Sequence, residues 1–194
     1  MSLLEEVLVH LHDVAIGYDV PLIEDINIEV IAGDVIAVLG PSGIGKTTLL
    51  RTIAGLVRPL EGDVELAVPS RGGLGYIPQR LGLIGNLTVR DNVEMGTRVG
   101  LSRWHLPFIP VPAKQRRVAT AKTVAQRPKL VLADEFLGEL DDDNVEIVMK
   151  TVRQAIEAQN SAMIMVEHHE ELAKQVANRI WRIKDGRLIE ELIR

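Results

Sequence analysis

Residues 35–57 read VIAVLGPSGIGKTTLLRTIAGLV. An apolar, strand-like run comes first, then a glycine-rich loop from Gly40 to Thr47. Leu49, Leu50, Ile53, Leu56 and Val57 follow at helical spacing, and the helix is expected to end near Pro59. The loop satisfies the pattern G-x-x-x-x-G-K-[ST], between the strand and helix that such a loop needs. Phosphates require many donors at close range. Glycines let successive backbone N–H groups face one anion, and the helix N-terminus adds its positive dipole end. Lys46 is placed to reach the β- and γ-phosphates of a nucleotide, and the Thr47 hydroxyl to ligate magnesium.

Strand-like and helical runs alternate along the rest of the chain. VLVHLHDVAIGY and INIEV precede the loop as strands, and GDVELAV and GLGYIPQ follow it. A helix is expected from Ala113 to about Gln126, and KLVLADE reads as a buried strand. Val145, Val148, Met149, Val152 and Ile156 share one helical face, and AMIMVEHH is a further buried strand. IWRIKDGRLIEEL reads as a hairpin turning at Asp185 and Gly186. Alternation of this kind predicts an α/β fold with a mainly parallel central sheet. A chain of 194 residues, 46% hydrophobic, can bury one such core.

The remaining totals narrow the function. With no cysteine there are no disulfides or thiolate metal sites, and a net charge of -5 argues against a general nucleic-acid partner. Arg116, Arg117, Lys122, Arg127 and Lys129 read as a solvated helix face. No apolar run is long enough to span a bilayer and the start, MSLLEEVLVHLHD, is acidic, so a cytosolic location is expected.

Magnesium bound to phosphates takes hard oxygen ligands, which a phosphate loop finds in an acid at the end of a second buried strand. VLADE supplies Asp134 for that role and places Glu135 to polarise an attacking water as general base. Alone, acids at a strand end are as readily solvated termini. A phosphate loop in the same chain favours the metal site.

Together with weaker signals in a fixed order, these motifs resemble the ATP-binding-cassette (ABC) ATPases from the N-terminal sheet to the C-terminal hairpin. Tyr18 in IGYD matches the aromatic residue that stacks on adenine. Gln79 in GYIPQ matches the glutamine that senses the γ-phosphate, and NLTVRDNV matches the start of a helical subdomain. GELD, Gly138 to Asp141, resembles a loop that crosses a dimer interface, and His168 in VEHH matches the switch histidine at the γ-phosphate. Singly, Tyr18 reads equally as a half-buried aromatic and Gln79 as a turn residue. GELDDDN could be a helix start capped by Asn144 or an Asp, and His168 a surface histidine.

The resemblance implies a P-loop NTPase with an N-terminal antiparallel β subdomain and a short helical insertion. One domain is expected over 1–194, with its core at 1–87 and 111–194 and the insertion at about 88–110. It implies an ATP hydrolase using ATP and Mg2+, with Lys46, Glu135 and His168 catalytic and Thr47, Gln79 and Asp134 around the metal. Tyr18, Gly40, Pro41, Ser42, Gly43, Gly45, Lys46, Thr47, Thr48 and Gln79 are implied to bind the nucleotide.

Departures from the family pattern fall at the signature, after the acid pair, around the switch histidine and in the insertion. Aligned on the RVA of residues 117–119, the signature L-S-G-G-Q lands on PVPAK, Pro110 to Lys114, and none of the five matches. Val111 has no hydroxyl, Pro112 has no N–H, and Ala113 restricts backbone approach; Lys114 could still bring a positive charge to the phosphate. Phe136 replaces a proline, Glu167 a small polar residue, and His169 an aspartate. Thr88 to Ile109 is about half of what the helical subdomain normally needs. The implied partners are a second ABC ATPase subunit, with a heterodimer favoured over a homodimer, and a transmembrane subunit on whose cytosolic side this chain sits. A non-hydrolytic ATP-binding module that regulates assembly is the alternative.

Overall fold

β-branched residues crowd the chain around the glycine loop, and there they build strands. The computed structural model describes residues 6–79, 88, 90–93, 120–124, 126–135, 137, 140 and 142–193. In chain order come β1 (Val7–Gly17), β2 (Pro21–Ile31), β3 (Val35–Leu39), α1 (Lys46–Ile53), β4 (Glu61–Leu66) and β5 (Leu74–Ile77). β6 (Leu130–Asp134), α2 (Asp142–Gln159), β7 (Ala162–Val166), α3 (Glu170–Val176), β8 (Arg179–Lys184) and β9 (Arg187–Leu192) complete it.

Two sheets result. β2, β1 and β4 form an antiparallel sheet in the order β2-β1-β4. The second sheet runs β5-β6-β7-β3-β8-β9, parallel throughout except for the antiparallel edge strand β9. β3, β6 and β7 are buried along their whole length, which is why their sequences are continuous apolar runs. Alternate side chains feed two cores. Val35, Ala37 and Leu39 pack with Val145, Val148, Met149, Val152 and Ile156 of α2. Ile36 and Val38 pack with Leu49, Leu50 and Ile53 of α1 and with the inner face of the antiparallel sheet. The expected α/β architecture and N-terminal antiparallel sheet are both present.

Some boundaries differ from the sequence reading. α1 stops at Ile53 although Leu56 and Val57 keep its period. Gly55 adopts a left-handed conformation (φ 70°), and Leu56 N bonds Arg51 O while Gly55 N bonds Thr52 O, the paired bonds of a Schellman terminus. α2 begins at Asp142, so Asn144 lies inside its first turn and is not its cap. β2 starts at Pro21, ahead of INIEV. Of the helix expected over 113–126, residues 120–124 are helical and residues 113–119 and 125 lie outside the described residues. At the start of the insertion, Thr88 and Asp91 exchange bonds (Asp91 N to Thr88 Oγ1 3.1 Å, Thr88 N to Asp91 Oδ2 3.2 Å), a reciprocal cap ahead of the helical residues 90–93. Asp185 and Gly186 (φ 50° and 72°) turn the β8-β9 hairpin as expected. Among the described residues, no helix is long and apolar enough to cross a membrane.

Candidate functional site

Parallel pairing of β5, β6, β7 and β3 brings four strand ends to one edge of the sheet. Gln79 lies just past β5, Asp134 ends β6 and Glu135 follows it. His168 lies just past β7, and Gly40 follows β3. Residues far apart in sequence therefore meet at the carboxyl ends of the strands, where open α/β sheets bind ligands.

The glycine loop is built for an anion. Gly43 and Gly45 hold φ values of 79° and 114°, which other residues rarely adopt, and both turn the backbone into the start of α1. Neither a side-chain cap nor a first-turn acid neutralises that end of the helix. Its ladder first reaches back from Leu49 N to Gly45 O (2.8 Å), leaving the Lys46, Thr47 and Thr48 N–H groups in the opening turn. Lys46 is only 5% exposed, and its Nζ donates to the carbonyl oxygens of Gly40 (2.6 Å) and Pro41 (2.9 Å). Burial lowers its pKa from the ordinary lysine value, with Glu135 and Asp134 opposing. Pro41, Ser42 and Gly43 form the exposed tip of the loop, and Thr48 is buried.

The Thr47 hydroxyl donates to Asp134 Oδ1 at 3.2 Å, joining the loop to β6. Asp134 is 4% exposed. Burial pushes its carboxyl above the usual value; the Thr47 bond, Arg51 and Lys46 pull the other way, and Glu135 adds to the rise. Two hard oxygens beside an ammonium and a helix N-terminus form a donor set that fits a magnesium–phosphate group.

Among the described residues, Glu135 lies between Gln79 and His168. Gln79 Nε2 donates to its Oε2 at 2.5 Å, and His168 Nε2 bonds its Oε1. Its backbone holds φ 50°, and its N–H donates to Val166 O at 3.1 Å. Tyr18 is 59% exposed just beyond β1. Tyr18 and Tyr76 both interact with the Arg51 guanidinium, which thereby lies between Tyr18 and the strand leading to Gln79. Burial, followed by the Asp134 charge, raises the Tyr76 hydroxyl pKa while Arg51 opposes it. The sequence reading had missed Arg51 and Tyr76 as neighbours of the site. A signal existed, since Arg51 is the one charged residue of α1 besides Lys46 and Tyr76 stands in the same short strand segment as Gln79.

The ABC transporter family profile matches residues 23–138, which include the loop, Gln79, Asp134 and Glu135. The chain belongs to the ABC transporter family. Relatives agree: a glutamate transport ATP-binding protein of Corynebacterium efficiens is 32% identical over 206 residues, 89% of this chain and 85% of that protein. A homolog of an ABC transporter ATP-binding protein in Mycoplasma pneumoniae is 33% identical over 199 residues, 86% of this chain. The chain spans 43% of that relative's length and 64% of a second Mycoplasma pneumoniae relative's. A solved ATP-binding cassette, a dimer in a post-hydrolysis state bound to ADP and Pi, superposes with a TM-score of 0.81 at 25% identity. The match covers 96% of this chain and 99% of that one. An ATP-binding subunit of an ABC transporter shares the fold at a TM-score of 0.82 and 19% identity, over 96% of this chain and 90% of that one. In this ABC cassette the PVPAK segment lies outside the described residues. So do Phe136, most of the 88–110 insertion, and all of GELD except Leu140.

Proposed function

We propose that this cassette binds Mg·ATP between the β3-α1 loop and the end of β6, and hydrolyses it as the nucleotide-binding subunit of a membrane transport complex. The observation that carries this reading is the direct contact of Gln79, Glu135 and His168 at the sheet edge that holds Lys46 and Thr47. These are the groups that sensing the γ-phosphate, activating water and stabilising transferred charge require.

Each residue has a definable task. Tyr18 offers an exposed ring for stacking on adenine. Lys46 exchanges the Gly40 and Pro41 oxygens for phosphate oxygens, and Gly40 to Thr48 surround the phosphates with N–H donors. Thr47, Asp134 and Gln79 are the side chains to hold Mg2+, which when bound neutralises charge on the β- and γ-phosphate oxygens. Glu135 takes the proton of the attacking water, and His168 donates a hydrogen bond to the phosphoryl oxygens as charge develops. Gln79 can present its Oε1 to the metal while its Nε2 stays on Glu135, whereas His168 Nε2 must leave the Glu135 carboxylate to reach the phosphoryl oxygens.

The partner is a second cassette. In this family's arrangement each ATP is enclosed by the loop of one subunit and the signature of the other. With PVPAK lacking the serine hydroxyl and glycine N–H groups, a heterodimer with a standard partner gives one competent site, built from this chain's loop. A transmembrane partner, and a place on the cytosolic face of the membrane, follow from family membership. The relatives are named for different cargoes, among them glutamate, sulfate or thiosulfate, and macrolides. This chain is therefore assigned the ATP-driven step and no cargo.

The same PVPAK segment favours a second reading, an ATP-binding module in which nucleotide only stabilises an assembly. Glu135→Gln separates the two. In a hydrolase the variant traps ATP and shifts sedimentation towards dimer at saturating Mg·ATP. Identical sedimentation of variant and wild type supports the module and contradicts hydrolysis.

A further inference from the structure

Glu167 is 1% exposed, an ionisable residue directly after the five buried residues of β7. A carboxylate in that position is costly unless its oxygens are engaged. Its Oε1 accepts the N–H of Leu137 at 3.2 Å, across thirty residues of sequence. Leu137 is fully buried in the core beneath α2, two residues beyond Glu135. Glu135 itself holds φ 50°, a conformation that a non-glycine residue keeps only where its surroundings over-determine it. Two bonds bracket it: Glu135 N to Val166 O (3.1 Å) before the turn and Leu137 N to Glu167 after it. The backbone of Glu167 is fixed as well, its N–H donating to Val38 O (3.2 Å) on β3, next to the strand end from which the phosphate loop departs. The next residue is His168, whose imidazole bonds the Glu135 carboxylate.

Glu167 thus joins both halves of the Glu135–His168 pair, holding the turn of one with its side chain and carrying the other on its main chain. We infer that Glu167 is a positioning residue that sets Glu135 at its working angle and keeps the Glu135 and His168 loops in register with the phosphate loop. This rests on the hydrolytic reading above. The property this tether uses is a hydrogen-bond acceptor at Oε1, which glutamine retains and alanine lacks.

The test uses the full chain with Glu167→Ala and Glu167→Gln, measuring ATP turnover, ATP affinity by titration and the exchange rate of the Leu137 amide by NMR without nucleotide. In Glu167→Ala we expect Leu137 exchange to accelerate about 10-fold or more and kcat to fall about 10- to 100-fold. Misplacement of a reacting group by about 1 Å has effects of this size. ATP affinity stays within about twofold, and Glu167→Gln recovers most of both losses. Wild-type exchange in a folded Glu167→Ala, or a Glu167→Gln as impaired as the alanine variant, would overturn the assignment. If wild type shows no turnover above Lys46→Ala, alone or with a cassette bearing the complete L-S-G-G-Q signature, the hydrolytic reading fails separately. Leu137 exchange then decides: lost protection in alanine with retention in glutamine supports the tether, and unchanged protection in alanine overturns it. Should Glu167→Ala not fold, Glu167→Gln decides alone: wild-type exchange supports an acceptor role and loss of protection overturns it.

Discussion

Asp134, buried at the end of β6, carries a carboxyl whose pKa is raised by that burial. A raised folded-state pKa means that the fold prefers the protonated form. Its stabilising contribution is complete below the ordinary carboxylate pKa and is lost as pH rises through the folded value. Asp134→Asn should therefore raise the melting temperature of the nucleotide-free protein at pH 7, with the gain shrinking as pH falls towards 4. Thermal melts across that range check it, and an Asn variant less stable than wild type at pH 7 would contradict it. The same variant should lose the stabilisation that Mg2+ adds to bound ATP. Gly45 carries strain of another kind. At φ 114° a Cβ is disfavoured whatever the space, so Gly45→Ala should cost roughly 1–3 kcal/mol in urea unfolding and weaken ATP binding.

α2 lays Val145, Val148, Met149, Val152 and Ile156 against the sheet, and all five are buried. Met149→Ala should cost about 2–5 kcal/mol of stability by denaturant unfolding, with ATP affinity in the folded protein unchanged because α2 contributes no loop residue. That face was legible in the sequence because its apolar residues recur at helical spacing, as β3, β6 and β7 were legible as unbroken apolar runs and the β8-β9 hairpin from Asp185 and Gly186. Period alone did not reveal the end of α1. Leu56 and Val57 continue the pattern, yet Gly55 turns the chain and Leu56 ends 67% exposed. For the site, the loop and Asp134 could be read from local pattern, since both roles follow from neighbours in sequence. The Glu167–Leu137 bond and the position of Arg51 beside Tyr18 and Tyr76 could not, because each depends on strands whose adjacency only the fold supplies. Glu167 had stood out only as an unexpected residue before His168.

Across the whole molecule, two cores share one parallel sheet, and the antiparallel sheet is tied to the hairpin by Glu24 N to Gly186 O (3.0 Å) and by Arg187 Nη1 to Asp25 Oδ2 (2.7 Å). The exposed Arg187–Asp25 pair is worth little by itself, so Arg187→Ala should change stability by less than about 1 kcal/mol, measured by urea unfolding. In the proposed pairing of two cassettes, a nucleotide bound by both subunits would stabilise their contact by mass action. The most direct measurement is phosphate release per subunit as a function of cassette concentration, with Mg·ATP, beside a Lys46→Ala control. Turnover should exceed the control once a cassette bearing the complete L-S-G-G-Q signature is added, and rise with the concentration of the pair. A rate no higher than Lys46→Ala, alone or with that partner and despite measurable ATP binding, would contradict the assignment of this chain as an ATP hydrolase.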